Sequence, residues 1–149
     1  MSSSTKVFVD KYEWLRNNLR MSRNLPRPTG AELAILRVLW TSGPATVRHV
    51  HESLAQARET GYTTTLKLMQ IMAEKGLVTR DASRRTHVYS AQLTRGETQR
   101  QLISDLVERA FGGSATALVV QALSAHPASA EELDEIQQLI ADYKEKVTP

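Results

Sequence analysis

The chain contains no cysteine among its 149 residues. Disulfide bonds, zinc ribbons and thiol catalysis are therefore excluded, and an intracellular setting is favoured. No apolar run approaches the roughly 20 residues that cross a bilayer, and the first residues lack the apolar core of a signal peptide. We therefore expect a cytoplasmic protein without membrane insertion.

The sequence also lacks the usual signs of an enzyme. Its four histidines are His49, His51, His87 and His126. The first two are two residues apart, so on a helix they do not face together, and no carboxylate lies at a metal-ligand spacing from them. Neither a glycine-rich phosphate loop nor a nucleophile motif is present. We expect no catalytic residue, no metal and no cofactor, and we set an enzyme aside as the rival class.

Charge is divided unequally along the chain. Residues 1–95 hold 15 Lys/Arg against 7 Asp/Glu, whereas residues 96–149 hold 4 against 9. A basic front half and an acidic back half indicate that only the front half meets a polyanion. At 41% apolar composition the chain can bury one or two small cores.

Residues 1–28 form a basic N-terminal extension whose role the sequence leaves open. Apolar residues between 7 and 19 are spaced as in a short amphipathic helix, and four arginines lie among and after them. One interpretation is an arm that contacts DNA phosphate or a partner subunit. The other is an extension without a role, as if translation began upstream of Met21.

Residues 29–93 are predicted to form a winged helix-turn-helix, in a fold that is mainly α with a small β-hairpin wing. Helix one begins at the capping box from Thr29 to Glu32. The first two predicted helices span residues 29–42 and 46–57, and a third, threonine-capped helix is predicted to follow Gly61-Tyr62 and to end at Lys75. The hairpin strands are predicted at 77–79 and 87–91, with a third short strand at 44–45.

Helix three is predicted to serve two surfaces. Its core-facing residues are Thr65, Leu68, Met69 and Met72, and its outer residues are Thr63, Thr64, Lys67, Ile71 and Glu74. Threonine and lysine suit the base edges of the major groove, while arginines on a wing suit phosphate. The predicted DNA-binding residues are Thr46, Arg48, His49, Thr63, Thr64, Lys67, Lys75, Arg80, Arg84 and Arg85.

Other interpretations of this region stay open. The threonines could simply cap a weak helix, and the arginine pair could simply be solvated. A winged-helix module that mediates protein–protein interaction is the alternative function, and a gel-shift assay would separate it from DNA binding. A ligand-binding regulator is less favoured, because no pocket of aromatic and polar residues is evident.

Residues 94–149 are predicted to form a helical dimerisation domain. The helices are predicted at 94–111, 114–124 and 129–146, with capping boxes at Thr94 and Ser129. The predicted dimerisation residues are Leu102, Leu106, Phe111, Leu118, Val119, Leu133, Ile136, Ile140 and Tyr143. A homodimer would set two recognition helices against a palindromic double-stranded DNA operator. The alternative is an intramolecular three-helix core.

In order along the chain, these motifs resemble the BlaI/MecI/CopY family of bacterial repressors, also called penicillinase repressors. The residues that carry the resemblance are Ala31-Glu32-Leu33, Leu39-Trp40, Val47-Arg48-His49-Val50, Tyr62-Thr63-Thr64, Lys75-Gly76-Leu77-Val78, Phe111-Gly112-Gly113-Ser114 and Leu118-Val119. The match covers about residues 28–145.

The resemblance implies a dimeric transcriptional repressor that is released from its operator by proteolysis. It implies a membrane-bound sensor metalloprotease as a partner, with cleavage in the dimerisation half between the residues aligned with Gln121 and Ala122. The copper-responsive branch of the family takes up metal through cysteines near its C-terminus. Because this chain has no cysteine, that chemistry is not expected here.

Overall fold

The structure is a computed structural model that describes residues 26–57 and 59–148. The N-terminal extension predicted from the sequence lies outside the described residues up to residue 25. The described residues form two compact units, one within residues 26–103 and one that includes residues 104–148.

Six helices and one hairpin make up the described chain, which confirms the predicted fold class. The elements are α1 (Gly30–Ser42), α2 (Val47–Ala55), α3 (Tyr62–Lys75), β1 (Val78–Asp81), β2 (Val88–Ala91), α4 (Arg95–Ala110), α5 (Ala115–Ala125) and α6 (Ala130–Val147). The second helix ends two residues earlier than predicted, and the first strand begins one residue later. Helix α4 contributes residues to both compact units.

Side-chain caps fix where the helices begin, because the first backbone N–H groups of a helix have no partner inside it. At α1, the Thr29 hydroxyl accepts from Glu32 N at 3.3 Å, and the Glu32 carboxylate accepts from Thr29 N at 3.0 Å. The same reciprocal pair joins Thr94 and Glu97 at α4. At α6 the Ser129 hydroxyl accepts from the backbone N–H of the third helical residue. The predicted starts of α1, α4 and α6 are therefore confirmed. The predicted threonine cap of α3 is wrong, because this helix begins at Tyr62 after Gly61 and has no side-chain cap.

Helix α3 ends at a glycine that turns the chain directly into the hairpin. Gly76 has φ +82°, a left-handed conformation that residues with a Cβ rarely adopt. The backbone N–H groups of Gly76 and Leu77 donate to Ala73 O and Met72 O, which closes the last turn of the helix. Helix α3 and the hairpin are thus joined directly, with only Gly76 and Leu77 between them.

The hairpin pairs β1 and β2 antiparallel, with Arg80 opposite Tyr89. Tyr89 also exchanges two backbone hydrogen bonds with Ala45, at 3.0 and 2.8 Å. This bridge confirms the third short strand predicted at residues 44–45. It ties the start of α2 to the wing, so both are held in one arrangement.

The core of the first unit lies between α1, α2, α3 and the hairpin. Its buried residues are Ile35, Leu36, Leu39, Ala45, Val47, Val50, Met69, Met72, Leu77, Val78 and Tyr89. Thr65 is also fully buried, and its hydroxyl donates to Gly61 O at 3.4 Å. The α3 side chains of Thr65, Met69 and Met72 therefore point into this core. Their positions determine which face of α3 is exposed to solvent.

The second unit buries none of its described residues in α5 or α6. Helix α5 is apolar on most sides, and a helix of that composition needs to be enclosed. An intramolecular three-helix core, the alternative weighed from the sequence, is not formed by these described helices.

Candidate nucleic-acid interface

The start of α2 presents backbone donors and two basic side chains. The Thr46 hydroxyl accepts from His49 N at 3.2 Å and so caps the helix. Arg48 and His49 lie exposed in the first turn. A helix N-terminus carries a partial positive charge, and beside it Arg48 adds a cationic donor and His49 adds an imidazole.

Helix α3 carries a row of exposed polar residues opposite its buried face. Thr63, Lys67, Gln70 and Glu74, here called the α3 polar row, are all exposed and follow one another at steps of four, three and four residues. Such steps bring residues onto one helix face. Thr64 is also exposed at the edge of this row. The predicted outer positions of Thr63, Thr64, Lys67 and Glu74 agree with this face.

The sequence prediction was wrong about which residue lies in the middle of this face. Ile71 was predicted to lie outward, but it is half-buried, whereas Gln70 is exposed. Because Thr65, Met69 and Met72 are buried, the face opposite them passes through position 70. The signal was in the sequence, since Gln70 is seven residues after Thr63 and three after Lys67.

The polar groups of this face are available to a partner. Within the part of the chain that the structure describes, no hydrogen bond or ion pair is made by the side chains of Thr63, Thr64, Lys67, Gln70 and Glu74. Thr65 differs, since its hydroxyl is bonded within the helix. A surface that keeps donors and acceptors unpaired suits recognition of an external polar ligand.

The wing presents two exposed arginines at a turn held by an aspartate. Asp81 Oδ1 accepts from the hydroxyl and the backbone N–H of Ser83, at 2.6 and 2.9 Å. These two bonds, with a smaller contribution from the positive charge of Arg84, lower the pKa of Asp81 below its ordinary value. The turn is therefore ordered where Arg84 and Arg85 project.

An open cleft of about 470 Å³ separates the wing from α3 and the start of α2. Its walls include Arg48 from α2, Tyr62 and Gln70 from α3, and Arg80 and Arg85 from the wing. Three guanidinium groups thus line one depression beside the α3 polar row. Guanidinium groups bind phosphate through paired hydrogen bonds, so the cleft suits the sugar-phosphate backbone of a nucleic acid.

Lys75 is placed differently from the other predicted DNA-binding residues. Its ammonium donates to Glu32 Oε2 at 2.8 Å, to Glu32 Oε1 at 3.0 Å and to Arg27 O at 3.3 Å. All three donors of the ammonium are therefore used inside the protein. A contact between Lys75 and DNA stays a prediction, and it would require one of these bonds to be released.

The predicted dimerisation residues are half-buried or exposed. Leu106, Val119, Leu133, Ile140 and Tyr143 are exposed, and Leu102, Phe111, Leu118 and Ile136 are half-buried. Four further apolar residues, Ile103, Val120, Leu139 and Val147, are also exposed. Leu102 and Ile103 belong to the first unit. The other apolar residues named here indicate an interaction surface on the second unit.

The residues aligned with the family's cleavage position lie inside a helix. Gln121 and Ala122 are both exposed and both belong to α5. Proteases cut most readily in exposed, poorly ordered segments. Cleavage at this bond would therefore need α5 to open locally.

Among the described residues, no three His, Asp or Glu side chains come together as a metal site. Across the same residues, no helix has the length and hydropathy needed to span a membrane.

Among solved structures, the chain is similar to two proteins of bacilli. The first is the solution structure of Bacillus licheniformis BlaI, monomeric form, in complex with the blaP half-operator, with a TM-score of 0.44 and 19% identity over 49% of this chain and 89% of that one. The second is a MarR family protein from Bacillus stearothermophilus, with a TM-score of 0.45 and 18% identity over 100% of this chain and 99% of that one.

Sequence comparison identifies the family. A family model described as penicillinase repressor matches residues 28–142. The transcriptional regulator BlaI of Mycobacterium tuberculosis is 32% identical over 122 residues, which are 80% of this chain and 87% of that protein. The penicillinase repressor of Bacillus licheniformis is 19% identical over 124 residues, 83% of this chain and 97% of that protein. The resemblance inferred from the motifs is thus confirmed: the chain belongs to the penicillinase repressor family of DNA-binding transcriptional repressors.

Proposed function

We propose that this repressor binds a palindromic double-stranded DNA operator as a homodimer, with α3 in the major groove and the wing on the adjacent backbone. The observation that carries the proposal is the unpaired α3 polar row beside a cleft lined by three arginines. A helix that presents polar side chains next to cationic groups has the two parts of DNA recognition, base contact and phosphate contact.

The side chains divide by chemistry into two roles. Lys67 donates to guanine O6 and N7, while the hydroxyls and methyls of Thr63 and Thr64 contact neighbouring base edges. A second set of residues contacts the DNA phosphates, and these contacts position the protein without distinguishing one base from another. Its members are Arg48, His49, Arg80, Arg84, Arg85 and the helix start capped by Thr46.

A homodimer accounts for the exposed apolar surface of the second unit. Leu133, Ile136, Ile140, Tyr143 and Val147, here called the α6 apolar row, follow one another at steps of three and four residues. Such a row lies along one side of a helix and is suited to pack against a second helix. Two copies related by a twofold axis would place two α3 helices on two half-sites of a palindrome.

Selection of bound sequences from random duplexes tests this function. We expect the purified protein to enrich a palindrome, and we expect sedimentation of the complex to give two chains per duplex. Enrichment of no sequence, together with no binding at low ionic strength, would contradict the proposal and favour the protein–protein interaction module.

Replacing Lys67 with alanine is expected to lower the ratio of operator affinity to random-duplex affinity about tenfold for each half-site, which is about a hundredfold for the dimer on the full operator. One good base-edge contact contributes on the order of 1–3 kcal/mol to discrimination, and tenfold is about 1.4 kcal/mol. Fluorescence anisotropy with both duplexes measures the ratio. The control is Arg37→Ala, which removes an exposed positive charge from α1. An equal loss on both duplexes would show that Lys67 contacts only phosphate.

Replacing Arg84 and Arg85 together with alanine is expected to weaken binding to all duplexes alike. Each phosphate contact contributes about 0.9 to the slope of log K against log salt, so the loss of two arginines from each chain of the dimer should reduce that slope by roughly 3.6. Affinity measured across a series of salt concentrations gives the slope. The control combines Arg37→Ala with Arg109→Ala, which removes two positive charges from exposed positions in α1 and α4. This control should leave the slope unchanged. If both double variants have the wild-type slope, the wing does not contact DNA.

Proteolytic relief of repression is a further part of this proposal. The family resemblance supports a membrane-bound sensor metalloprotease as the partner that initiates cleavage between Gln121 and Ala122. Since these residues lie in α5, local unfolding of α5 would precede the cut. The role on DNA also supports location in the cytoplasm.

A further inference from the structure

Gln70 lies at the border between two parts of the candidate interface. It belongs to the exposed α3 polar row, and its side chain also lines the cleft that holds the wing arginines. It makes no hydrogen bond within the described residues. A long amide side chain, exposed, unpaired and in the centre of a recognition face, is therefore placed to contact DNA.

Two contacts are chemically open to this amide. It can donate to a phosphate oxygen, or it can bond to an adenine edge, donating to N7 and accepting from N6. The cleft already holds Arg48, Arg80 and Arg85, and charged guanidinium groups bind phosphate more strongly than a neutral amide does. The adenine edge, by contrast, needs a donor and an acceptor side by side, which an amide supplies and an arginine does not.

The position of Gln70 relative to Lys67 fits the spacing of base pairs. Three residues of α-helix rise roughly 4.5 Å along the axis, and base pairs are roughly 3.4 Å apart. Side chains at these two positions can therefore reach neighbouring base pairs. Lysine selects guanine and glutamine selects adenine, so the two residues together read a two-base step.

We propose that Gln70 is a specificity-determining residue that reads one adenine in the major groove of each half-site. This inference rests on the proposed binding of operator DNA, and it adds a base identity that the DNA-binding role alone does not supply. It also predicts a change of specificity. A glutamate at this position has acceptors only, and it would accept from the N4 amino group of cytosine instead.

Selection from random duplexes with wild type, Gln70→Ala and Gln70→Glu tests the proposal. Wild type is expected to prefer adenine about tenfold at one position of each half-site, the size of one good contact. Gln70→Ala should reduce that preference to about threefold or less at this position alone. Gln70→Glu should change the preferred base there to cytosine. Gln99→Glu, which adds the same charge on exposed α4 surface, should retain the wild-type preference.

The outcomes separate this inference from the function on which it rests. If wild type enriches no sequence, the proposed operator binding fails, and the base assignment fails with it. If wild type enriches a palindrome and both Gln70 variants keep every base preference, only the base assignment is overturned. A uniform loss of affinity on all sequences, with unchanged preferences, would instead assign Gln70 to phosphate and would also overturn it. Circular dichroism and thermal unfolding confirm that each variant is folded.

Discussion

Replacing Lys75 with methionine is expected to lower the free energy of unfolding by about 3 kcal/mol. The Glu32 carboxylate is only 4% exposed, and Lys75 supplies its positive partner at 2.8 Å. Methionine keeps the aliphatic length but leaves a buried carboxylate without that partner, which is the costly way to break an ion pair. The Lys75 side chain is 33% exposed, so water reaches one side of the ion pair. The loss of stability should therefore lie at the low end of the roughly 3–5 kcal/mol expected when a buried pair is broken.

Chemical denaturation of the variant and the wild type measures this effect. The control is Lys144→Met, at an exposed lysine of α6, and it should change stability by less than about 0.5 kcal/mol. The double variant Glu32→Gln and Lys75→Met removes both charges and should recover part of the loss, because no charge is left buried. If Lys75→Met is as stable as the control, the ion pair does not hold the two helices together.

This ion pair also matters for the interface. Glu32 lies in the first turn of α1, and Lys75 lies in the last turn of α3. The bond therefore fixes the end of α3 against α1, and the Gly76 turn then sets the direction of β1. We infer that the pair holds α3 and the wing in the orientation that the proposed interface needs.

The sequence predicted well those features that depend on neighbouring residues. A threonine or serine before a helix bonds to a backbone N–H three residues on, and this was recognisable at Thr29, Thr46 and Ser114. Gly76 after Lys75 likewise marked the end of α3. Such signals need no knowledge of the tertiary fold, because both partners lie within one turn of chain.

Features that depend on distant residues were predicted poorly. Glu32 was recognised as part of a capping box, but its bond to Lys75 crosses 43 residues. From the sequence alone, Lys75 was therefore interpreted as an unpaired cation that could contact DNA. The choice of Ile71 instead of Gln70 has a different origin. Met69 and Met72 were already predicted to face the core, so the sequence itself indicated that the opposite face passes through position 70. A periodic pattern gives the existence of a face more reliably than its exact centre.

The second unit shows what a sequence can indicate without fixing the contact. The apolar residues of its helices predicted a surface that packs against another chain. In the structure, Val120, Leu139 and Ile140 are at least half exposed. Which residues meet across the covered surface depends on the partner's geometry. The list of dimerisation residues is therefore still a prediction, and a substitution in the α6 apolar row is the direct way to test it.

Replacing Ile140 with aspartate is expected to convert the proposed homodimer into monomers and to lower operator affinity about a hundredfold or more. Ile140 is central in the α6 apolar row and 50% exposed in the single chain. Burying a carboxylate against a second apolar helix costs several kcal/mol when no cation pairs with it. A monomer engages only one half-site, and loss of the second site removes the gain of roughly 10²–10⁴ that linked binding provides.

The matched control places the same side chain one residue further along the helix. Ala141 is exposed, and each residue of an α-helix is rotated by roughly 100° from the last. Ala141→Asp therefore adds an equal charge to α6 on a side turned away from the apolar row, and it should stay dimeric. Sedimentation at micromolar concentration reports the assembly state, and anisotropy with a full palindrome and with a single half-site reports binding. For Ile140→Asp we expect wild-type affinity per half-site but no gain from the second half-site. A dimer of Ile140→Asp as stable as that of Ala141→Asp would show that the α6 apolar row is not the interface.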